Sequence, residues 1–181
     1  MIQTIHIGHL LRETVATPYR HLVTRPTGAA IRGRIQAVLA GSDCPTTLLD
    51  FSGIELLDFS CADEVVAKLL LDGGEGDGRY LVLCGLREDQ HEAIEHVLTH
   101  HRLAVTALRD EDGAEPRLLG WVTADARAAF DCLCERGPLG PSDVAGALDW
   151  PSARAEAALE GLAGRRLVRT DGDRYRPLPV E

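Results

Sequence analysis

Apolar and polar positions alternate in a regular order between residues 20 and 110, where short apolar runs are followed by longer segments with helical spacing. The short runs predict strands at 21–24, 46–51, 80–84 and 103–108. The longer segments place apolar residues three and four positions apart and predict amphipathic helices at 27–40, 60–71 and 88–101. Strands that alternate with helices of this length are typical of parallel βαβ units, so we expect an α/β domain over residues 1–117.

The same pattern gives further details of this domain. The opening segment 2–11 is predicted to pair at an edge of the sheet, and 117–120 forms either a last edge strand or a connector. The apolar stripe of the first helix consists of Ile31, Ile35, Val38 and Leu39. In the second helix, Glu64 and Lys68 are spaced for an i, i+4 ion pair, which we expect on the outer face.

After residue 121 the pattern changes to helices in quick succession, predicted at 123–136, 142–148 and 152–164. Residues 167–178 then give two short strands around Asp171-Gly172-Asp173, a turn sequence typical of β-hairpins. Three helices and a terminal hairpin are the layout of a winged helix-turn-helix. We therefore expect a second, small winged-helix (α+β) domain over residues 121–181.

Composition and charge narrow the classes of function. The chain has 181 residues, 45% of them hydrophobic, which is enough for an aliphatic core. Its 28 acidic and 19 basic residues give a net charge of −9, which opposes non-specific binding to nucleic acid or to an anionic membrane. No apolar run has the length of a membrane span, and the N-terminal residues do not resemble a signal peptide. The five cysteines, odd in number, are typical of reduced thiols, so we expect a cytoplasmic protein.

The most specific segment runs from Thr47 to Leu71, where Asp58-Phe59-Ser60 leads directly into a helix. Ser60 and Asp63 form an S-x-x-D pattern, and in one interpretation Ser60 simply caps the helix. In the other interpretation Ser60 accepts a phosphate, because a helix N-terminus stabilises negative charge. The two charges of a phosphate would then change what this surface binds.

This segment resembles the STAS fold of anti-sigma-factor antagonists, in which a strand ending in aspartate precedes a D-S-S-G turn with a phosphorylated second serine. Asp50 ends the matching strand here, Asp58 matches the turn aspartate and Ser60 matches the phosphorylated serine. Phe59 and Cys61 stand where the antagonists have serine and glycine.

The sequence is more similar still to the STAS-like domain family, whose pattern continues as S-x-A-D-E, here residues 60–64. The turn Thr24-Arg25-Pro26-Thr27-Gly28 also looks like that family, and the resemblance covers roughly residues 15–110. It implies that Ser60, Asp58, Asp63 and Glu64 form a phosphorylation or partner-docking site. It also implies a protein partner, either a kinase-like ATPase or an anti-sigma-like factor.

The C-terminal module leaves two interpretations open, DNA binding and protein contact. The candidate DNA-binding residues are Arg154, Arg165, Arg166, Arg169, Arg174 and Arg176. Glu160 on the second helix of the motif and the aspartates Asp171 and Asp173 at the hairpin tip would repel phosphates.

Other signals are weaker. Arg25 and Thr27 form a candidate anion-binding turn, although Thr27 also fits as a helix cap. We interpret Gly73–Gly78 as a surface loop, the face of Glu92, His96 and His100 as hydrated, and Cys132 and Cys134 as core or boundary thiols. We predict no catalytic residues, no metal ligands and no cofactor.

Three hypotheses follow from the sequence. The first is a bacterial, non-enzymatic regulatory protein in which a STAS-like domain binds a partner and a winged helix binds DNA or the transcription machinery. The second is a protein-interaction adaptor that does not contact DNA. The third is a nucleotide-binding or enzymatic domain that uses the 25–27 turn and the carboxylates between residues 50 and 63. A homodimer is compatible with each.

Overall fold

The computed structural model describes residues 1–15, 20–73, 78–109 and 115–179. Its strands are β1 (Ile2–His6), β2 (His21–Leu22), β3 (Thr46–Asp50), β4 (Leu56–Leu57), β5 (Tyr80–Cys84), β6 (Ala104–Leu108), β7 (Pro116–Gly120), β8 (Val168–Asp171) and β9 (Arg174–Pro177). Its helices are α1 (Ile7–Thr14), α2 (Arg25–Ala40), α3 (Phe59–Ala62), α4 (Lys68–Asp72), α5 (Glu88–His100), α6 (Ala124–Arg136), α7 (Pro141–Leu148) and α8 (Ser152–Gly164). A π-helical turn, Asp63–Ala67, joins α3 to α4.

The central sheet has five strands in the order β1-β3-β5-β6-β7. The first four strands run parallel, and β7 pairs antiparallel with β6 at one edge. The fold is therefore mixed α/β with a mostly parallel central sheet, as predicted. The prediction that the opening segment pairs at an edge is confirmed for β1. Of the two alternatives for 117–120, an edge strand or a connector, the structure has the edge strand, β7.

The opening segment is not extended over its whole predicted length. Its strand ends at His6, and α1 begins at the next residue. Ile7, Leu10 and Leu11 have helical spacing and are all buried, so the core accepts this segment as a helix.

Two predicted side-chain positions are wrong. Val38 was expected in the inner stripe of α2 but is 40% exposed, because the buried face of that helix is formed by Gly28, Ile31 and Ile35. Glu64 was expected on an outer face but is only 2% exposed. The π-helical turn buries Glu64 together with the three residues that follow it, which a regular α-helix with one apolar stripe would not do.

The C-terminal module packs directly on the sheet. Its three helices and the β8–β9 hairpin share one hydrophobic cluster with Ala104 and Leu118 of the sheet. Thr106 Oγ1 donates a hydrogen bond to the carbonyl of Leu167 at 3.3 Å, and Leu178 is buried. Neighbouring residues of a strand point to opposite faces of the sheet. Val105 of β6 therefore packs in the core with the N-terminal helices, and Ala104 packs in the cluster with the C-terminal module.

Candidate functional site

Asp58 is the centre of a hydrogen-bond network at the start of α3. Its Oδ1 accepts from the backbone N–H of Cys61 and from the hydroxyl of Ser60, both at 2.8 Å. Its Oδ2 accepts from the backbone N–H of Thr24 at 3.1 Å. Burial alone would raise the pKa of Asp58, but the hydrogen bonds from Cys61, Thr24 and Ser60 outweigh it and hold the pKa below its ordinary value. Asp58 is therefore a charged N-cap that also fixes the residue before α2.

Ser60 does not cap the helix, contrary to the capping interpretation. The helix begins at Phe59, so Ser60 lies in its first turn, and Asp58 occupies the N-cap position. The Ser60 hydroxyl donates to Asp58 because an ionised carboxylate at the N-cap is a stronger acceptor than a second hydroxyl. The residue is half-buried, and its phosphorylation stays a prediction.

Thr24 has an unusual backbone conformation. Its φ is +70° and its ψ is 138°, a region that a β-branched residue rarely adopts. Asp58 holds its N–H, and the thiol of Cys61 donates to its carbonyl at 3.0 Å. Backbone conformations of this kind cost on the order of 1–3 kcal/mol and cluster at functional sites. Thr24 and the start of α3 therefore form one restrained unit.

The interpretation of Thr27 as the cap of α2 is wrong. The helix begins at Arg25, so Thr27 is its third residue, and the hydroxyls of Thr24 and Thr27 are 3.1 Å apart. The pyrrolidine of Pro26 lacks an N–H and fits the first turn, which lets the helix begin before Thr27.

The prediction of an anion-binding turn requires that the Arg25 guanidinium be available to an anion. In the structure this guanidinium already binds two carboxylates of the protein. Its Nη1 donates to Asp63 Oδ2 at 2.7 Å and to Glu64 Oε1 at 2.8 Å. Glu64 also accepts from Arg32 and, at 2.5 Å, from Lys68 Nζ. The expected Glu64–Lys68 pair is thus present, but inside a charge cluster of five residues, Arg25, Arg32, Asp63, Glu64 and Lys68.

Both carboxylates of this cluster have lowered pKa values. Burial alone would raise the pKa of Glu64, but hydrogen bonds from Lys68, Arg25 and Arg32 outweigh it and lower the pKa. Asp63 behaves in the same way, since Arg25 and His101 offset its burial and lower its pKa. The Nε2 of His101 lies 2.7 Å from Asp63 Oδ1. The predicted site residues Asp63 and Glu64 therefore join α2, the π-helical turn and the end of α5.

Phe59 is the functional candidate that the sequence did not single out. Its side chain is 59% exposed, and its ring lies 5.1 Å from the ring of His96 on α5. Leu56, three residues earlier, is 45% exposed. The sequence did contain a signal for Phe59, because aromatic residues make up only 4% of the chain and this one directly follows Asp58. The sequence also missed Arg32, which lies seven residues after Arg25 and so on the same helix face.

The six candidate DNA-binding arginines include two at opposite ends of α8, since Arg154 lies in its first turn and Arg165 follows its last residue. Arg154 binds Asp125 through two hydrogen bonds of 2.8 and 2.9 Å and lies 4.3 Å from the Trp150 ring. Arg165 donates to the carbonyls of Trp121 and Arg102 at 2.8 and 2.9 Å. Arg166, the next residue in the chain, also has an interaction partner within the protein.

The hairpin keeps three of the candidates on one face. Arg169 is paired in register with Arg176, and Arg174 with Asp171, so these four side chains share a face of the hairpin. Arg176 Nη2 donates to Asp171 Oδ2 at 2.6 Å, and Arg174 Nη1 donates to the carbonyl of Pro138 at 3.2 Å. Of the three arginines on this face, Arg176 is therefore the one shown with a carboxylate partner among the described residues.

The described ranges contain neither a group of metal-binding side chains nor a helix fit to cross a membrane. Among those residues, no three His, Cys, Asp or Glu side chains form a group that could hold a metal ion. No helix found there has both the length and the apolar character needed to cross a membrane. Four residues of the predicted Gly73–Gly78 surface loop, 74–77, lie outside the described residues.

Comparison with models of known protein families gives no match for this chain, and neither does comparison with the sequences of curated proteins.

Proposed function

We propose that this is a non-enzymatic regulatory protein that binds a protein partner through the docking surface formed by Leu56, Phe59, Ser60 and His96. The exposure of Phe59 carries this proposal. A large aromatic side chain exposed at a restrained backbone is the kind of anchor that dominates the energy of protein interfaces. The neighbouring Asp58 network restrains the backbone on both sides of Phe59, which reduces the entropy that binding must overcome.

The resemblance to the STAS-like family supports the same surface, because it places Asp58 and Ser60 at the partner-docking turn. On this basis we propose a STAS-like domain over residues 1–117 and a winged helix over 121–181, in a cytoplasmic bacterial protein. The proposed partner is a kinase-like ATPase or an anti-sigma-like factor. Phosphorylation of Ser60 would add negative charge beside Asp58 and Phe59 and so reduce or redirect binding.

The experiment compares Phe59→Ser with Val38→Ser, which changes another exposed apolar side chain, 40% exposed, on α2. Tagged protein is used for capture from the native host, and the captured partner is then purified and its affinity measured. We expect Phe59→Ser to weaken that affinity at least about tenfold, since an anchor residue contributes about 2 kcal/mol or more. Equal affinities for the two variants would contradict the docking surface.

We propose that the C-terminal module makes protein contacts and does not read DNA. The ion pairs of Arg154 with Asp125 and of Arg176 with Asp171 support this, because a DNA phosphate would have to replace their carboxylate partners. We expect no retention of duplex DNA by the full chain, even at low salt. Retention that falls steeply with salt and is lost in the Arg169→Ala/Arg174→Ala variant would instead establish DNA binding.

A further inference from the structure

A cavity of about 850 Å³ lies between the α/β part and the C-terminal module, where α2, α4 and α8 end and where β5 and β6 begin. Its wall is mainly aliphatic and includes Leu69, Leu70, Leu81, Leu103 and Leu167. The volume is within the range of small-molecule sites in proteins. The docking surface lies at the other end of the same helical segment, where α3 begins, so the cavity is a separate feature.

Among the described residues, the polar side chains of the cavity wall are mainly hydrogen-bond donors. Arg79, Arg165 and Arg166 all line it, and the lining carboxylate of Asp72 already accepts from Gln36 at 3.0 Å. Arg165 is half-buried, and burial lowers its pKa. Its two described hydrogen bonds go to carbonyl groups, and a guanidinium has five N–H donors. A half-buried cation whose described partners are neutral favours an anionic ligand.

Arg166 occupies a backbone position at which glycine is the usual residue. Its φ is +57°, and it follows α8 in a Schellman motif, with Arg166 N–H bonded to the Ala163 carbonyl and Leu167 N–H bonded to the Leu162 carbonyl. A left-handed conformation costs a non-glycine residue on the order of 1–2 kcal/mol. The side chain of Arg166, the residue at which the backbone has this cost, lines the cavity.

The end of α5 repeats this motif and provides a comparison. Arg102, with a φ of +55°, bonds to the Thr99 carbonyl, and Leu103 N–H bonds to the Leu98 carbonyl. The side chain of Arg102 lies over the Trp121 ring at 5.5 Å and does not line the cavity. Arg166 and Arg102 are therefore matched in backbone geometry and differ in their relation to the cavity.

We propose that this cavity binds a small amphipathic anion, with its aliphatic chain against the leucines and its carboxylate or phosphate group at Arg165 and Arg166. The arginines also offset the negative partial charge at the helix C-termini. That role accounts for the contact of Arg165 with the Arg102 carbonyl, which lies just after α5. It accounts neither for the contact with the Trp121 carbonyl nor for an aliphatic cavity beside these arginines.

Isothermal titration calorimetry of the full chain with decanoate, decyl phosphate, decanol and decylamine tests the proposal, each below its micelle-forming concentration. We expect one molecule of decanoate or decyl phosphate to bind per chain, at least about tenfold more tightly than decanol, because hydrogen bonds to charged groups are the stronger ones. Whichever of the two anions binds more tightly identifies the head group. Lack of saturable binding by both anions, or equal affinity for decanol or decylamine, would overturn the proposal.

The matched variants are Arg166→Gly and Arg102→Gly. Glycine fits the left-handed conformation at both positions, so both variants should keep the fold, which their melting temperatures check. We expect Arg166→Gly to weaken binding of the tighter anion at least about tenfold and Arg102→Gly to leave it unchanged. Equal affinities of the two variants for that anion would contradict the assignment of Arg166 to its head group.

Discussion

The carboxylate of Glu64 and the guanidinium of Arg25 are joined by a hydrogen bond of 2.8 Å, although one side chain is 3% exposed and the other 52%. The buried member of this pair has two further cationic partners, Arg32 and Lys68. A buried carboxylate is stable only when its partners replace the water that it has lost. Glu64 therefore joins α2 to the π-helical turn next to the docking surface.

Removal of the Glu64 charge should destabilise the protein strongly. We expect Glu64→Gln to lower the free energy of unfolding by roughly 3 kcal/mol, because it leaves the cations around the buried site without their common partner. The control is Glu13→Gln, which breaks the exposed pair with Arg34 and should cost less than about 1 kcal/mol. Urea unfolding at neutral pH measures both values. A similar cost for the two variants would mean that the cluster is no more than a surface network.

The stability of the protein should depend on pH because of Glu64 and two neighbouring carboxylates. The pKa values of Glu64, Asp63 and Asp58 are all lowered in the folded protein, so at mildly acidic pH the unfolded chain binds more protons than the folded one. Stability from these groups is therefore present above their ordinary pKa values and is lost as the pH falls through their folded values. We expect the free energy of unfolding to decrease between about pH 5 and about pH 3.

Urea unfolding across this range tests the role of Glu64 directly. The difference in unfolding free energy between the native protein and Glu64→Gln should shrink as the pH falls, because protonation makes the two side chains alike in charge. A difference that stays constant with pH would show that Glu64 acts through packing and not through its charge.

The hydrophobic pattern was sufficient for most of the order of strands and helices, because burial of one helix face or one strand repeats along the sequence. It missed helix α1 and the two-residue strand β4. It was not sufficient for Glu64. The π-helical turn breaks the 3.6-residue period for five residues, and only the later contact with α2 shows why a carboxylate is tolerated inside. The capping residue was also ambiguous, since Asp58 and Ser60 both fit a cap. Asp58 occupies that position because it also binds Thr24, which lies 34 residues away.

Gly28 is needed where α2 contacts the π-helical segment. A Cβ at this position would lie 2.9 Å from the Glu64 Cβ and 3.2 Å from the Cys61 Cα. We expect Gly28→Ala to cost about 1–3 kcal/mol, since backbone must move to admit the methyl group. Gly33 lies on the same helix, and a Cβ there would meet nothing within 4 Å, so Gly33→Ala should stabilise by about 0.5–1 kcal/mol. Thermal and urea unfolding of both variants should show opposite signs, and a neutral Gly28→Ala would contradict this close contact.

Asp58 should contribute more to stability than an ordinary helix cap. Thr123 is an ordinary cap, whose hydroxyl accepts only from the Ala126 N–H of α6, at 3.1 Å, so Thr123→Ala should cost about 1 kcal/mol. Asp58→Ala removes the equivalent bond to Cys61 and also releases Ser60 and the strained Thr24, so we expect a cost of about 2 kcal/mol or more.

The Ser60→Ala variant distinguishes the contribution of the Ser60 hydroxyl from that of the Asp58 cap. It removes one hydrogen bond to Asp58 and leaves the bonds from Cys61 and Thr24, so the expected cost is about 1 kcal/mol. Amide hydrogen exchange provides the second measurement, because the Thr24 N–H should lose protection in Asp58→Ala and keep it in Ser60→Ala. If Asp58→Ala left that amide protected, Asp58 would not be what holds Thr24 in its unusual conformation, and the docking surface would lack the rigidity that its proposed role requires.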